Sequence, residues 1–275
     1  MSLNLSAKNK KKDMKKRIFA IIFTAIFVWT VCITAYADGD VRAYSWYCKN
    51  NNDHTQPELP SEFSFISQYD GYSIDKNAKE DDKVLYLTFD AGYENGNVAL
   101  ILDELKSHGA TGAFFILGNL VDQNTDLVVR MKEEGHLVCN HTFSHRDMTR
   151  VKGSTTFTAE LKRLEDFYLE KTGYTIDKFY RPPKGCFTED NLKFAKQAGY
   201  KTIFWSFAYA DWDNTKQPDE DKAFEKVMAH THNGAVILLH PTSATNAAIM
   251  GRLLDEWQKQ GYRFGSLYEL TGNAV

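Results

Sequence analysis

The sequence predicts an α/β fold: a parallel sheet curled into a closed or nearly closed (β/α) barrel, with an irregular N-terminal arm. Three observations carry this expectation. From residue 84 onward, short apolar runs alternate with amphipathic stretches in a repeated βα rhythm. The apolar runs are rich in β-branched and aromatic residues, as parallel strands covered on both faces require. About seven or eight such units fit into about 200 residues, which favours a barrel over an open doubly wound sheet.

The first strand of this rhythm spans 84–89. A helix over 97–107 follows, with Val98, Leu102 and Leu105 at helical spacing and a stop near Gly109. Strand 111–117 leads to helix 126–134, closed by Gly135, and to strand 136–139. Helix 156–171 ends at Gly173, strand 177–180 precedes helix 188–197 and Gly199, and strand 202–207 comes next. Helix 220–229, strand 235–239, helix 246–260 with Gly261, and a short strand 263–266 complete the order. Glycine after a helix takes the turn that caps its last carbonyls, so these stops mark C-termini. Residues 38–82 mix aromatics (Tyr44, Trp46, Tyr47, Phe63, Phe65, Tyr69) with Asn, Asp, Pro and Gly. Without periodicity they read as an arm packing on the body and not as a separate domain.

Residues 1–37 read as a leader. Seven basic residues between Lys8 and Arg17 precede an uncharged apolar run over 18–37, which ends in Ala35-Tyr36-Ala37 before Asp38. This is the pattern of a signal peptide cut after Ala37; the run is also long enough for an uncleaved membrane anchor. Either way the body is expected outside the cell membrane. With Asp13 the leader carries +6, so a chain of net charge −3 leaves −9 on the remainder. An acidic exported body speaks against nucleic-acid binding. At 43% hydrophobic over 275 residues, the chain supports one sizeable core but not two ordinary domains plus a leader. Outside the leader, Cys48, Cys139 and Cys186 are an odd, widely spaced set and form no disulfide framework, although a Cys139–Cys186 bond is conceivable. No Gly-x-Gly-x-x-Gly or Walker pattern supports a nucleotide site.

Polar residues stand where the apolar runs end, which in α/β folds is where chemistry gathers. Asp90 closes the first run, and an exposed carboxylate there is placed to accept a proton from an activated water. His141 and His145 are four apart, so a helical turn of the loop would aim both imidazoles at one metal ion. The alternative is a pair of surface or capping histidines. Arg181 precedes Pro182 and Pro183, which stiffen it; beside Asp90 it would hold that acid ionised. The Lys184 N–H is the first after the prolines and a candidate oxyanion donor. Asp211 paired with His240 would raise the imidazole pKa and keep a general acid protonated. Trp212 and Leu238 are candidates for a small acyl pocket, or ordinary core. His54, His108, His230 and His232 lack such framing.

These residues fall into five motifs: Thr88-Phe89-Asp90-Ala91-Gly92, His141-Thr142-Phe143-Ser144-His145, Arg181-Pro182-Pro183, Asp211-Trp212 and Leu238-Leu239-His240. In order and spacing they resemble the polysaccharide deacetylase family, also called NodB homology or carbohydrate esterase 4, over roughly residues 83–270. The resemblance implies a distorted (β/α) barrel of the NodB type. It implies Asp90 as general base, His240 as general acid, and His141 and His145 as ligands of a divalent metal, usually Zn2+. Arg181 would position Asp90, and Asp211 would tune His240. One departure stands out: Ala91 occupies the place of the aspartate that is normally the third ligand, so metal binding is expected to be weaker, with water or substrate filling the gap.

Thr88-Phe89-Asp90-x-Gly92-Tyr93-Glu94-Asn95-Gly96, Arg181-Pro182-Pro183-x-Gly185 and the stretch from Phe204-Trp205-Ser206 to Asp211-Trp212 resemble the spore-cortex branch, which acts in muramic δ-lactam formation. That branch implies Tyr93 and Asn95 as further substrate residues. The expected activity is N-deacetylation of N-acetylmuramic acid in peptide-free peptidoglycan of an endospore former. The enzyme would act as a monomer at the outer membrane face, the wall or the forespore intermembrane space, and would depend on an N-acetylmuramoyl-L-alanine amidase. The rivals are N-acetylglucosamine deacetylation of peptidoglycan or chitin-like oligomers, and a non-catalytic wall-binding protein.

Overall fold

The computed structural model describes residues 42–49 and 51–272. The expected leader lies outside them, and among the described residues no helix is long and apolar enough to cross a membrane. In chain order the strands are β1 (Ala43–Ser45), β2 (Gly71–Tyr72), β3 (Val84–Ala91), β4 (Ala113–Ile116), β5 (Leu137–Asn140), β6 (Asp177–Tyr180), β7 (Cys186–Thr188), β8 (Lys201–Ile203), β9 (Phe207–Ala208), β10 (Ala235–Leu239) and β11 (Arg263–Phe264). β1 and β7 pair antiparallel. The others form one sheet ordered β2-β8-β6-β5-β4-β3-β10-β9, with β11 on β3. Its pairings are parallel throughout.

The sheet curls until its two ends meet, without a continuous ladder between them. A bridge from Ile74, just after β2, to Ala235 and a 2.9 Å hydrogen bond from the Ser206 N–H, beyond β8, to the Val236 carbonyl tie the β2–β8 end of the sheet to β10. The result is an α/β half-barrel, incompletely closed. Strand alternation sorts β3 cleanly. Leu85, Leu87, Phe89 and Ala91 pack in the outer layer against helices, and Val84 and Tyr86 pack inside with Phe115, Phe179 and Val236. Thr88 and Asp90 continue the inner row towards the open end.

The helices form for the reasons their spacing implied. Asn97–Ser107 buries Val98, Ile101, Leu102 and Leu105 on one face. Ala244–Lys259 buries Ile249, Met250, Leu253, Leu254 and Trp257. Glu189–Gln197 starts with a full capping box, in which Thr188 and Asn191 exchange side-chain and backbone bonds. Helix Ser154–Thr172 stops at Gly173, whose φ of 77° is left-handed.

Four differences from expectation have physical causes. The strand expected over 202–207 is broken, because 204–206 bends from the β6 side of the sheet to β10. A helix at Gly118–Gln123 fills a stretch with no periodicity long enough to read. β7 carries no separate signal because Cys186–Thr188 runs directly into the cap of the next helix. The arm contributes regular structure: β2 pairs with β8, β1 pairs with β7, and Trp46 stacks on Phe204 at 4.2 Å. Cys139 and Cys186 are both free thiols, so the conceivable bond between them is not formed.

Candidate active site

The parallel register delivers the polar residues to one rim. Leu239 pairs with Phe89, so the next residues, His240 and Asp90, emerge at the same level. Asp90 pairs with Phe115 and Ile116 with Asn140, which places His141 one step beyond β5; its N–H donates to the Ile116 carbonyl at 3.2 Å. The Arg181 N–H donates to the Asn140 carbonyl at 3.0 Å, so Arg181 lies beside His141.

Arg181 is the keystone. Its side chain is fully buried, with the guanidinium carbon 4.2 Å above the Phe115 ring and 5.6 Å from that of Trp205. Its Nη1 donates to Asp90 Oδ1 at 2.9 Å, Nη2 to Thr88 Oγ1 at 2.9 Å and to the Phe204 carbonyl at 3.2 Å, and Nε to the Ile203 carbonyl at 3.0 Å. A buried cation needs this many acceptors, because an unpaired one would be prohibitively desolvated. The bent 204–206 segment supplies one of those carbonyls, so the break in the expected strand serves the site. Burial by itself would raise the Asp90 carboxyl; His141, Arg181 and His240 outweigh it and hold the group below the ordinary carboxylate range.

The Arg181 carbonyl also accepts the Nδ1–H of His141 at 2.8 Å, which leaves His141 Nε2 free, 3.5 Å from Asp90 Oδ2. Burial pushes the His141 pKa down to about 4 and also lowers that of His145. Both rings are therefore neutral at pH 7, the form that ligates metals. Their centroids are 5.0 Å apart. The loop reaches this arrangement without the helical turn expected from the spacing. Thr142 at φ 70° and His145 at φ 55° are left-handed instead, conformations that side chains other than glycine rarely adopt. Strained residues gathered in one loop are a mark of a functional site.

On the other side, His240 Nδ1 donates to Asp211 Oδ1 at 2.7 Å, and the His240 N–H donates to Asp211 Oδ2 at 2.8 Å. Burial works against the imidazolium, but the Asp211 bond and charge overcome it and raise the His240 pKa. Asn246 completes the clamp: its amide donates to Asp211 Oδ2 at 2.7 Å and to the His240 carbonyl at 3.0 Å. Sequence reasoning missed Asn246. Its only signal was its place three residues after Ser243, which caps that helix.

Trp212 is exposed and lies edge-on to His240, 6.3 Å between centroids. Leu238 shares the inner side of β10 with Val236 by alternation, below His240. Tyr93 is exposed, and its hydroxyl is bonded to the Asn214 amide across the rim. Asn95 donates its amide to the Thr242 carbonyl at 2.9 Å, which ties two rim loops together. Lys184 sits in the tight turn Pro183–Gly185 at φ 59°.

Among the described residues no three His, Cys, Asp or Glu side chains form a cluster able to hold a metal ion. The two imidazoles fit two positions of such a site, and the usual third position is Ala91. Ala91 is fully buried in the outer apolar layer, on the other side of β3 from Asp90 by strand alternation.

Comparison with known proteins gives a consistent picture. A sequence profile described as polysaccharide deacetylase matches residues 77–203. The chain is 38% identical over 227 residues to peptidoglycan-N-acetylmuramic acid deacetylase PdaA of Bacillus subtilis, covering 82% of this chain and 85% of that protein. It is 34% identical over 194 residues to peptidoglycan-N-acetylglucosamine deacetylase PgdA of Listeria monocytogenes, covering 70% of this chain and 40% of that one. The solved structure of Bacillus subtilis PdaA, described as a family 4 carbohydrate esterase, superposes with a TM-score of 0.79 at 36% identity, covering 84% of this chain and 97% of that one.

Proposed function

This chain belongs to the polysaccharide deacetylase family, hydrolases of carbohydrate C–N bonds, and from that premise we propose that it removes the acetyl group from N-acetylmuramic acid in peptide-free peptidoglycan. The observation that carries the chemistry is the pairing of two opposed clamps: Arg181 on Asp90 and Asp211 on His240. One keeps a carboxylate ionised and the other keeps an imidazolium protonated. Two groups pushed apart in pKa across one rim are the base and acid that amide hydrolysis needs.

In this reading Asp90 takes the proton from water as it attacks the acetamide carbonyl, and His240 protonates the leaving amine. The Lys184 N–H donates to the developing oxyanion. Trp212 and Leu238 border the acetyl methyl, and Tyr93 borders the sugar. The family is generally metal-dependent. His141 and His145 would hold a divalent ion, Zn2+ by donor type, which when bound supplies Lewis acidity towards water and the carbonyl. With two protein ligands, affinity is expected to be low.

The muramic substrate is supported by similarity to PdaA, and the glucosamine alternative by the lower similarity to PgdA. Muramic residues are open to attack only after their peptides are removed, so an amidase would act first. The amine then freed is placed for closure to the δ-lactam of spore cortex. The basic and apolar leader supports action outside the cell membrane, in the wall or the forespore intermembrane space.

The test uses protein lacking residues 1–37 and peptide-free glycan strands, with released acetate measured with and without Zn2+ and chelator. Acetate release that rises with Zn2+ and is lost in Asp90→Asn, by about 100-fold or more, is expected. No acetate in any metal condition would end the enzyme reading, and product masses showing deacetylated glucosamine alone would replace the muramic substrate with the alternative.

A further inference from the structure

We propose that the Lys184 ammonium selects the substrate by pairing with the lactyl carboxylate of the muramic acid ring. The inference rests on the muramic reading above and deepens it.

N-Acetylmuramic acid differs from N-acetylglucosamine by one ether-linked lactyl group, which carries a carboxylate once the peptide is gone. A site that distinguishes the two sugars therefore needs a cation at its rim, within side-chain reach of the reacting acetamide. Arg181 cannot serve, because it is fully buried and committed to Asp90, Thr88 and two carbonyls. Lys184 meets the requirement. It is exposed, three residues beyond Arg181, and it makes no ion pair among the described residues. The turn that carries it departs from Arg181, whose carbonyl accepts the His141 Nδ1–H at 2.8 Å, so it leaves the rim beside the histidines.

The turn that presents it is unusually rigid. Pro182 and Pro183 precede Lys184, and Gly185 follows at φ 66° with its backbone against Trp205, where an added Cβ would stand 2.8 Å from the ring. The Trp46 N–H donates to the Gly185 carbonyl at 2.9 Å, and the Gly185 N–H donates to the Pro182 carbonyl at 3.0 Å. Lys184 itself is held at φ 59° and ψ 11°, a conformation in which glycine or asparagine would be less strained. A lysine retained at such a position, its ammonium unpaired, points to a use for its side chain. A rigid base also limits the backbone entropy lost when the ammonium is engaged. The body carries a net −9, so carboxylate-bearing glycan gains no general attraction and must find a local cation.

The test compares kcat/KM on peptide-free glycan with kcat/KM on the same glycan after methyl esterification of its lactyl carboxylates. Any change in the backbone of the turn affects both substrates and cancels in their ratio. Native protein is expected to prefer the free carboxylate. Lys184→Met should lower that preference by roughly tenfold, mainly through KM, and Lys184→Arg should keep most of it. Added salt should weaken the preference of native protein and leave that of Lys184→Met unaffected. An unchanged ratio in a folded Lys184→Met variant would overturn the role of Lys184 while leaving the deacetylase reading intact. Native protein that releases acetate from glucosamine oligomers alone, or from neither glycan, would remove the muramic reading and this inference with it.

Discussion

Two residues illustrate how environment assigns chemistry. Asp90 and His240 emerge at the same level of adjacent strands, yet one is tuned to lose its proton and the other to keep it. The pH dependence follows from those directions. His240 acts while protonated, and its pKa is raised, so activity is retained at low pH and falls as pH rises through that raised value. Asp90 acts while ionised with a lowered pKa, so it does not limit activity until well into acid; below about 4 the protonation of His141 adds to the loss. Replacing Asp211 by Asn removes the charge that raises His240, and the alkaline limb of the pH–rate profile should move down by about one unit or more. A limb that stays in place would mean another group sets it. Arg181→Met should be worse than a loss of activity. It leaves Asp90 without its partner in a water-poor site, and a denaturant titration is expected to show a loss of about 3 kcal/mol or more.

At the scale of elements, the loop from His141 to His145 depends on its neighbour. Phe143, between the two histidines, packs on the start of helix Gly118–Gln123, and its carbonyl accepts the Gly118 N–H at 2.9 Å. A Cβ at Gly118 would stand 2.7 Å from the Phe143 ring, which Arg163 covers from another side at 3.7 Å. Gly118→Ala should therefore displace the loop, with a stability loss of about 1–3 kcal/mol and a larger proportional loss of acetate release. Unfolding and activity measured together would expose the opposite result, a stable variant with full activity. Thr188→Ala is the control. It removes one half of the capping box of helix Glu189–Gln197, whose side-chain bonds are to Asn191 and not to Asp90, His141, Arg181 or His240, and should lower stability by about 1 kcal/mol while acetate release is little changed.

At the scale of the whole molecule, the arm completes what the half-barrel leaves open. Trp46 stacks on Phe204 and Phe63 and donates its Nε1–H to the Trp205 carbonyl at 3.0 Å, so the arm holds the bent 204–206 segment on which Arg181 leans. Trp46→Ala should destabilise by about 3–5 kcal/mol, read from the denaturation midpoint. The order of strands and helices was legible in the sequence because each buried face imprints its own period, and helix Asn97–Ser107 and strand Ala235–Leu239 lie where that pattern put them. Asp90, His141, Arg181 and His240 were legible because each stands where an apolar run stops. The short helix at Gly118, the break after Ile203 and the clamp of Asn246 on Asp211 were not. Each is decided by a partner distant in the chain, and pattern within a segment carries no information about such partners. The placement of Ala91 in the apolar layer against the helices was likewise settled only when β3 took its place between β4 and β10, because strand alternation acquires a direction once the sheet has an inside.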